Sequence, residues 1–187
     1  PERFSEVTET IFDEKSRRVV VWQTRKFGDL VLEERASSEP DETRAAELLA
    51  EEVFSGRLVL KQWDESVEQW IERINFLAKH CSDYGVAPID DSARCLLLQE
   101  ICLGAMSYRE IKNREVLPTL KSWLATGLQP MLETLAPSHL EIPNRRRPVP
   151  IRYADGEARI GLTVQEMMPL KGHPTRAADA YSIPIEV

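Results

Sequence analysis

Nothing in this sequence can cradle a triphosphate. Its eight glycines never form the G-x-x-x-x-G-K-[ST] turn that wraps phosphates in backbone N–H groups, and neither Lys15-Ser16 nor Lys121-Ser122 follows a glycine-rich run. An Asp-Glu-x-His box is missing too, since Asp41-Glu42-Thr43-Arg44 matches only its first two letters. The three histidines, His80, His139 and His173, stand far apart, and none adjoins a Ser or Cys in a nucleophile motif. No catalytic residue is expected. The three cysteines, Cys81, Cys95 and Cys102, form an odd set without close pairing, which suits core thiols in a reducing compartment. Only His80-Cys81 approaches metal-ligand spacing, and on a helix adjacent side chains diverge by about 100°, so no metal is expected. No apolar stretch approaches the ~20 residues of a membrane span, and the start has no signal-peptide pattern. These absences point to a cytoplasmic chain without membrane contact. It begins with Pro1, not Met, and reads as a fragment of something longer.

The composition is that of an ordinary soluble protein, 42% hydrophobic and 29% charged, with a net charge of -7. That charge is uneven. Residues 1–60 carry 9 basic and 14 acidic groups, residues 61–137 carry 8 and 11, and residues 138–187 carry 7 and 6. Only the last segment is not electrostatically hostile to a phosphate backbone.

Residues 5–35 read as an antiparallel meander. The strands are Val7 to Phe12, Val19 to Thr24 and Leu30 to Leu32, with turns at Asp13–Ser16 and Phe27–Asp29. Ser38, Pro40 and Asp41 start a helix whose apolar stripe is Ala45, Leu48, Leu49 and Val53, ended by Gly56. Asp64 caps the clearest helix, with Val67, Trp70, Ile71, Ile74, Leu77, Ala78 and Cys81 on one face and Glu65, Glu68, Glu72 and Lys79 solvated opposite. Asp90 or Asp91 starts another helix, with Leu96, Leu97, Ile101 and Cys102, stopped at Gly104. Ser107–Glu110 is a capping box, Pro118 opens a helix that Gly127 ends, and a last helix spans 128–135. Beyond it, Asp155-Gly156 marks a two-residue hairpin, and Thr163–Glu166 is a second capping box. Lys171 to Ala178 reads as loop, and Ser182 to Val187 as a strand.

The run from Ala136 to Gln165 carries a resemblance. Ala136, Pro137, Ser138, His139, Pro143, Asn144, Arg146, Tyr153, Leu162, Gln165 and Glu166 fit a pattern A-P-[ST]-H-x-x-x-P-[SN]-G-R, then a strand ending in Tyr, a turn and L-x-x-Q-E. In this the chain resembles the C-terminal region of bacterial HrpB-type DEAH-box ATP-dependent helicases. Trp63, Ile71-Glu72-Arg73-Ile74 with Leu77, and the Leu132–Pro137 segment extend the likeness through the helices, although such residues at helical spacing mostly mean core. Phe27 to Glu34 resembles part of the family's OB-like β-domain. The resemblance implies an α+β fold: a partial OB-like β-meander over 1–36, a helical connector over 37–137, and a C-terminal β-meander with a short helix over 138–187. It also implies that ATP and Mg belong to motor domains elsewhere in the same polypeptide, with no cofactor in this part. The expected role is an accessory one, binding a single-stranded RNA or other nucleic acid, or bracing the motor domains in cis.

The candidate binding residues are Arg145, Arg146, Arg147, Arg152 and Arg159. With Asp155-Gly156 as the loop, Arg152 faces Arg159 across the hairpin, and Ile151, Tyr153, Ala158, Ile160 and Leu162 form the opposite, apolar face. Like charges at opposed positions destabilise a sheet by roughly 0.2–1 kcal/mol, so the pair suits an anion with many oxygens. Arg145, Arg146 and Arg147 are expected to enter the same strand. The bland alternative is a solvated face, with Glu157, two residues from Arg159 on the same side, screening the pair and Glu141 near the arginine run. Arg145 also replaces the Gly of the family pattern, and Asn144 must then take the left-handed turn conformation for the geometry to survive. A protein–protein docking module without nucleic-acid contact is the rival role, favoured by the acidic first two thirds.

Overall fold

The computed structural model of the chain describes residues 4–37, 40–170, 172–176 and 181–187. Three strands come first, β1 (Phe4–Asp13), β2 (Arg18–Phe27) and β3 (Leu30–Ser37). The helices α1 (Glu42–Phe54), α2 (Glu65–His80), α3 (Asp91–Cys102), α4 (Tyr108–Ile111), α5 (Leu117–Trp123) and α6 (Gln129–Leu135) follow. The C-terminal part holds β4 (His139–Leu140), β5 (Val149–Pro150), β6 (Arg152–Ala154), β7 (Glu157–Gly161), α7 (Val164–Met167), β8 (Thr175–Arg176), β9 (Tyr181–Ser182) and β10 (Ile185–Glu186). The α+β class expected from the sequence is what folds. These elements gather into two compact units, one of Pro1–Trp63 with Asp91–Thr119, the other of Asp64–Asp90 with Leu120–Val187.

In the first unit, β1-β2-β3 is an antiparallel sheet. Its period-two alternation buries Val19 and Val21, while Phe4, Val7, Leu30, Val31 and Leu32 remain exposed. Three strands fall short of the five of an OB barrel. At the start of β2, Arg18 bridges to Ser107, where the Val19 N–H donates to the Met106 carbonyl at 2.8 Å. Asp41 caps α1, accepting the Arg44 N–H at 2.9 Å; Ser38 of the expected helix start lies outside the described residues.

Helix α1 packs on α3, and its buried residues are Ala45, Ala46, Leu49 and Ala50. The expected stripe is thus rotated. Ala46 and Ala50 join Ala45 and Leu49 in the buried face, and Leu48 and Val53 are only half-buried. On α3, Leu97, Ile101 and Cys102 are buried as expected and Leu98 joins them, whereas Leu96 is 57% exposed. The Ser107 box is half formed: Glu110 accepts from the Met106 N–H and the Ser107 hydroxyl, but Ser107 caps nothing. Pro118 does open α5, whereas Gly127 falls in a separate single 3-10 turn after that helix has ended.

The second unit is built on α2. Asp64 accepts the Ser66 and Val67 N–H groups at 3.0 and 3.2 Å. The predicted seam of Val67, Trp70, Ile71, Ile74 and Leu77 is buried, and Phe76 joins it fully. Phe76 meets Tyr153 and Tyr181 edge-on, with ring centroids 5.2 and 4.9 Å apart. Arg73 is also buried, donating to the Ala136 carbonyl and to Glu133, each at 2.6 Å.

Strand β6 is antiparallel to β7, and β10 runs parallel to β7 on its other side. The predicted last strand is therefore two short pairings, β9 with β8 and β10 with β7, split at Pro184, which lacks an N–H. The expected loop contains β8, while Lys171, Ala177 and Ala178 lie outside the described residues. The Thr163–Glu166 capping box is complete and starts α7.

Candidate nucleic-acid interface

The hairpin of β6 and β7 turns at Asp155 and Gly156, both with positive φ (54° and 71°), as a twisted two-residue loop requires. Gly156 has a second reason to be glycine: a Cβ there would come within 2.8 Å of the Lys79 side chain. The register is Arg152↔Arg159, Tyr153↔Ala158 and Ala154↔Glu157, as the sequence predicts. Ile151, Tyr153, Ala158, Ile160 and Leu162 are buried on one face. The two arginines are left on the other.

Side chains from α2 hold this hairpin. The Gln69 amide donates to the Tyr153 carbonyl at 3.1 Å and accepts the Tyr153 N–H at 3.0 Å, so it pairs with β6 as a neighbouring strand would. Tyr153 donates its hydroxyl to the Pro137 carbonyl at 2.8 Å, and burial pushes its phenol well up. His80 Nε2 lies 2.8 Å from the Gly156 carbonyl, and Lys79 is ion-paired with Glu157. The Lys79 contact, then the Tyr181 hydroxyl, holds the Glu157 carboxyl below its usual range.

Three of the five predicted arginines converge. Arg145, Arg152 and Arg159 line one cleft of about 610 Å³, with Pro150, Glu157 and Glu186 among its walls. Arg145 arrives by its own route, because Asn144 does adopt the left-handed conformation (φ 68°) and turns the chain there. Arg146 and Arg147 do not enter the hairpin strand. They lie in the irregular segment between Pro143 and Pro148, ahead of β5, exposed and with no side-chain hydrogen bond or ion pair to a described residue.

Each cleft arginine already has an acidic partner. Arg152 donates to Glu65 at 3.1 Å, Arg159 to Glu186 at 3.2 Å, and Arg145 is 2.9 Å from Glu166. Glu157 screens Lys79 and not Arg159, so the screening expected from its sequence neighbourhood is corrected. Glu65, Glu186 and Gln69 are the residues that sequence reasoning missed. Glu65 reads as part of a solvated helix face and is indeed 74% exposed at its side chain. Eighty-seven positions separate it from Arg152, and no local pattern links the two. Among the described residues no cluster of His, Cys, Asp and Glu is arranged to hold a metal, and no helix is long and apolar enough to cross a membrane.

Residues 97–187 match the family model described as "ATP-dependent helicase C-terminal", named HrpB_C. That stretch resembles the C-terminal region of HrpB-type helicases. The match covers the whole arginine cleft. The chain is also similar to the ATP-dependent RNA helicase HrpB of Escherichia coli strain K12, at 23% identity over 181 residues, covering 94% of this chain and 22% of that protein. Two crystal structures share its fold. One is the E. coli DExH-box NTPase HrpB, with a TM-score of 0.69 at 20% identity over 97% of this chain and 23% of that one. The other is the E. coli DEAH/RHA helicase HrpB, with a TM-score of 0.68 at 21% identity over 99% of this chain and 24% of that one. The chain thus spans about a quarter of the length of these HrpB relatives.

Proposed function

We propose that this chain is an accessory C-terminal region of an ATP-dependent DEAH-box RNA helicase, and that it grips a single nucleic-acid strand by its phosphates. ATP and Mg²⁺ are bound by motor domains in cis, and the whole works in the cytoplasm. The observation that carries the proposal is the convergence of Arg145, Arg152 and Arg159 on one cleft. An exposed pair of guanidinium groups set opposite each other is unfavourable on its own, and Glu65 and Glu186 offset it only through exposed ion pairs. A phosphate presents oxygens that planar guanidinium forks bind well. Phosphate contacts alone carry no sequence information, so this part of the grip would be independent of sequence.

The resident carboxylates Glu65, Glu166 and Glu186 set the strength of that grip. A phosphate must displace exposed, weakly held ion pairs, which cost little to break in water. Affinity is then weak and steeply salt-dependent. The test is fluorescence anisotropy with a short single-stranded RNA at low salt. The parent chain should bind, and the triple variant Arg145→Ala, Arg152→Ala, Arg159→Ala should not.

A second reading has its own observation. The exposed apolar run Leu30-Val31-Leu32 on β3, together with cleft arginines that are already paired, favours a docking module without nucleic-acid contact. Equal RNA binding by the parent and the triple variant selects this reading.

A further inference from the structure

Arg145 lines a second, shallow groove besides the arginine cleft. This groove holds about 390 Å³ and is walled by Pro143, Asn144, Gln165, Glu166, Met168 and Pro169. Its chemistry differs from that of the cleft. Met168 is 82% exposed, unusual for a large apolar side chain, and it stands with two prolines. The carboxamides of Asn144 and Gln165 are exposed and make no hydrogen bond to a described residue. Leu162 and Glu166, the neighbours of Gln165 in the L-x-x-Q-E motif, are accounted for: Leu162 is buried, and Glu166 completes the capping box and pairs with Arg145. Gln165 has no such structural task.

Apolar surface for a flat ring, two free amides for its edge, and a guanidinium held beside both describe a site for a nucleobase. Single-strand binders stack unpaired bases on aromatic rings or guanidinium planes and hydrogen-bond their edges; here the plane is that of Arg145, with Met168 and the prolines as apolar walls. Arg145 is held in place by Glu166 at 2.9 Å and borders both spaces, so a phosphate in the cleft and its attached base in the groove are neighbours.

We infer that the groove of Pro143, Asn144, Gln165, Met168 and Pro169 receives one unstacked nucleobase of the strand whose phosphates lie in the arginine cleft. This rests on the nucleic-acid reading above. It adds a base-dependent contact to a grip otherwise made through phosphates alone. The four bases all present a ring face and an edge with donors and acceptors, so the contact tolerates any base but requires one.

The experiment compares two RNA oligonucleotides of equal length and phosphate count, one normal and one abasic at every position, at low salt with the full 187-residue chain. The normal strand should bind more tightly, by up to roughly fivefold, the low end of stacking on an aromatic ring. The double variant Gln165→Ala, Met168→Ala should bind both strands alike, with the salt dependence of the parent. Both side chains are exposed, and circular dichroism checks that the variant is folded. Equal binding of both strands by the parent, still lost on removing the three arginines, overturns the base site and leaves the phosphate grip intact. A double variant that discriminates like the parent also overturns it. Absence of any salt-sensitive binding overturns the grip and the base site together.

Discussion

Arg152 and Arg159 face each other across the β6–β7 ladder, and each reaches away to a different carboxylate, Glu65 for one and Glu186 for the other. Two guanidinium groups on one patch are thus kept apart by partners drawn from α2 and β10. The arrangement lets a hairpin carry like charges while a cleft between them stays open.

Freeing one of these arginines should strengthen the grip. Glu186→Gln removes the carboxylate that competes for Arg159 and leaves the side-chain shape almost unchanged. RNA affinity at low salt should rise, with a steeper salt dependence. A fall in affinity would mean that Glu186 positions Arg159 and does not compete for it.

Gln69 is the pin of the hairpin. Gln69→Leu keeps the volume but strands the N–H and carbonyl of Tyr153, each of which loses its partner. The cost expected from leaving buried polar groups unpaired is about 1–3 kcal/mol in urea unfolding. No measurable change would mean that water replaces the amide at both positions.

Ile74 sits at the middle of the α2 seam and is 0% exposed. Ile74→Ala should cost about 2–5 kcal/mol, the range for truncating a fully buried aliphatic side chain. A loss under ~0.5 kcal/mol would show the seam to be loosely packed.

How much of this was legible depended on range. The Arg152↔Arg159 register followed from Asp155-Gly156 alone, because a two-residue loop leaves one pairing. The turn at Asn144 followed from Asn's tolerance of positive φ. The α2 seam followed from its period. What failed was decided elsewhere in the chain. Arg146 and Arg147 fall outside the strand because Pro143 and Pro148 bracket an irregular segment. Leu96 stays exposed because α1 determines which side of α3 is covered. The carboxylates that pair with Arg152 and Arg159 lie 87 and 27 residues away, beyond any local pattern.

Alkali should destabilise the first unit through Cys102. Burial pushes its thiol up to about 11, against a smaller opposite pull from Arg114. The folded chain therefore disfavours the thiolate. Stability from this group is fully present below the unfolded thiol range near ~8.5 and is lost as pH rises from there through about 11. Cys102→Ala should flatten that part of the urea midpoint against pH profile. An unchanged slope would place the alkaline loss on another group.

The central claim is the phosphate grip of three arginines, and the slope of log affinity against log salt measures it most directly. With three contacts at ~0.7 each on a single strand, the chain should give a slope of about -2.1. Arg152→Ala should reduce the slope by roughly 0.7, equally for RNAs of any sequence. A flat slope, or one that Arg145→Ala, Arg152→Ala and Arg159→Ala all leave unchanged, would contradict the account.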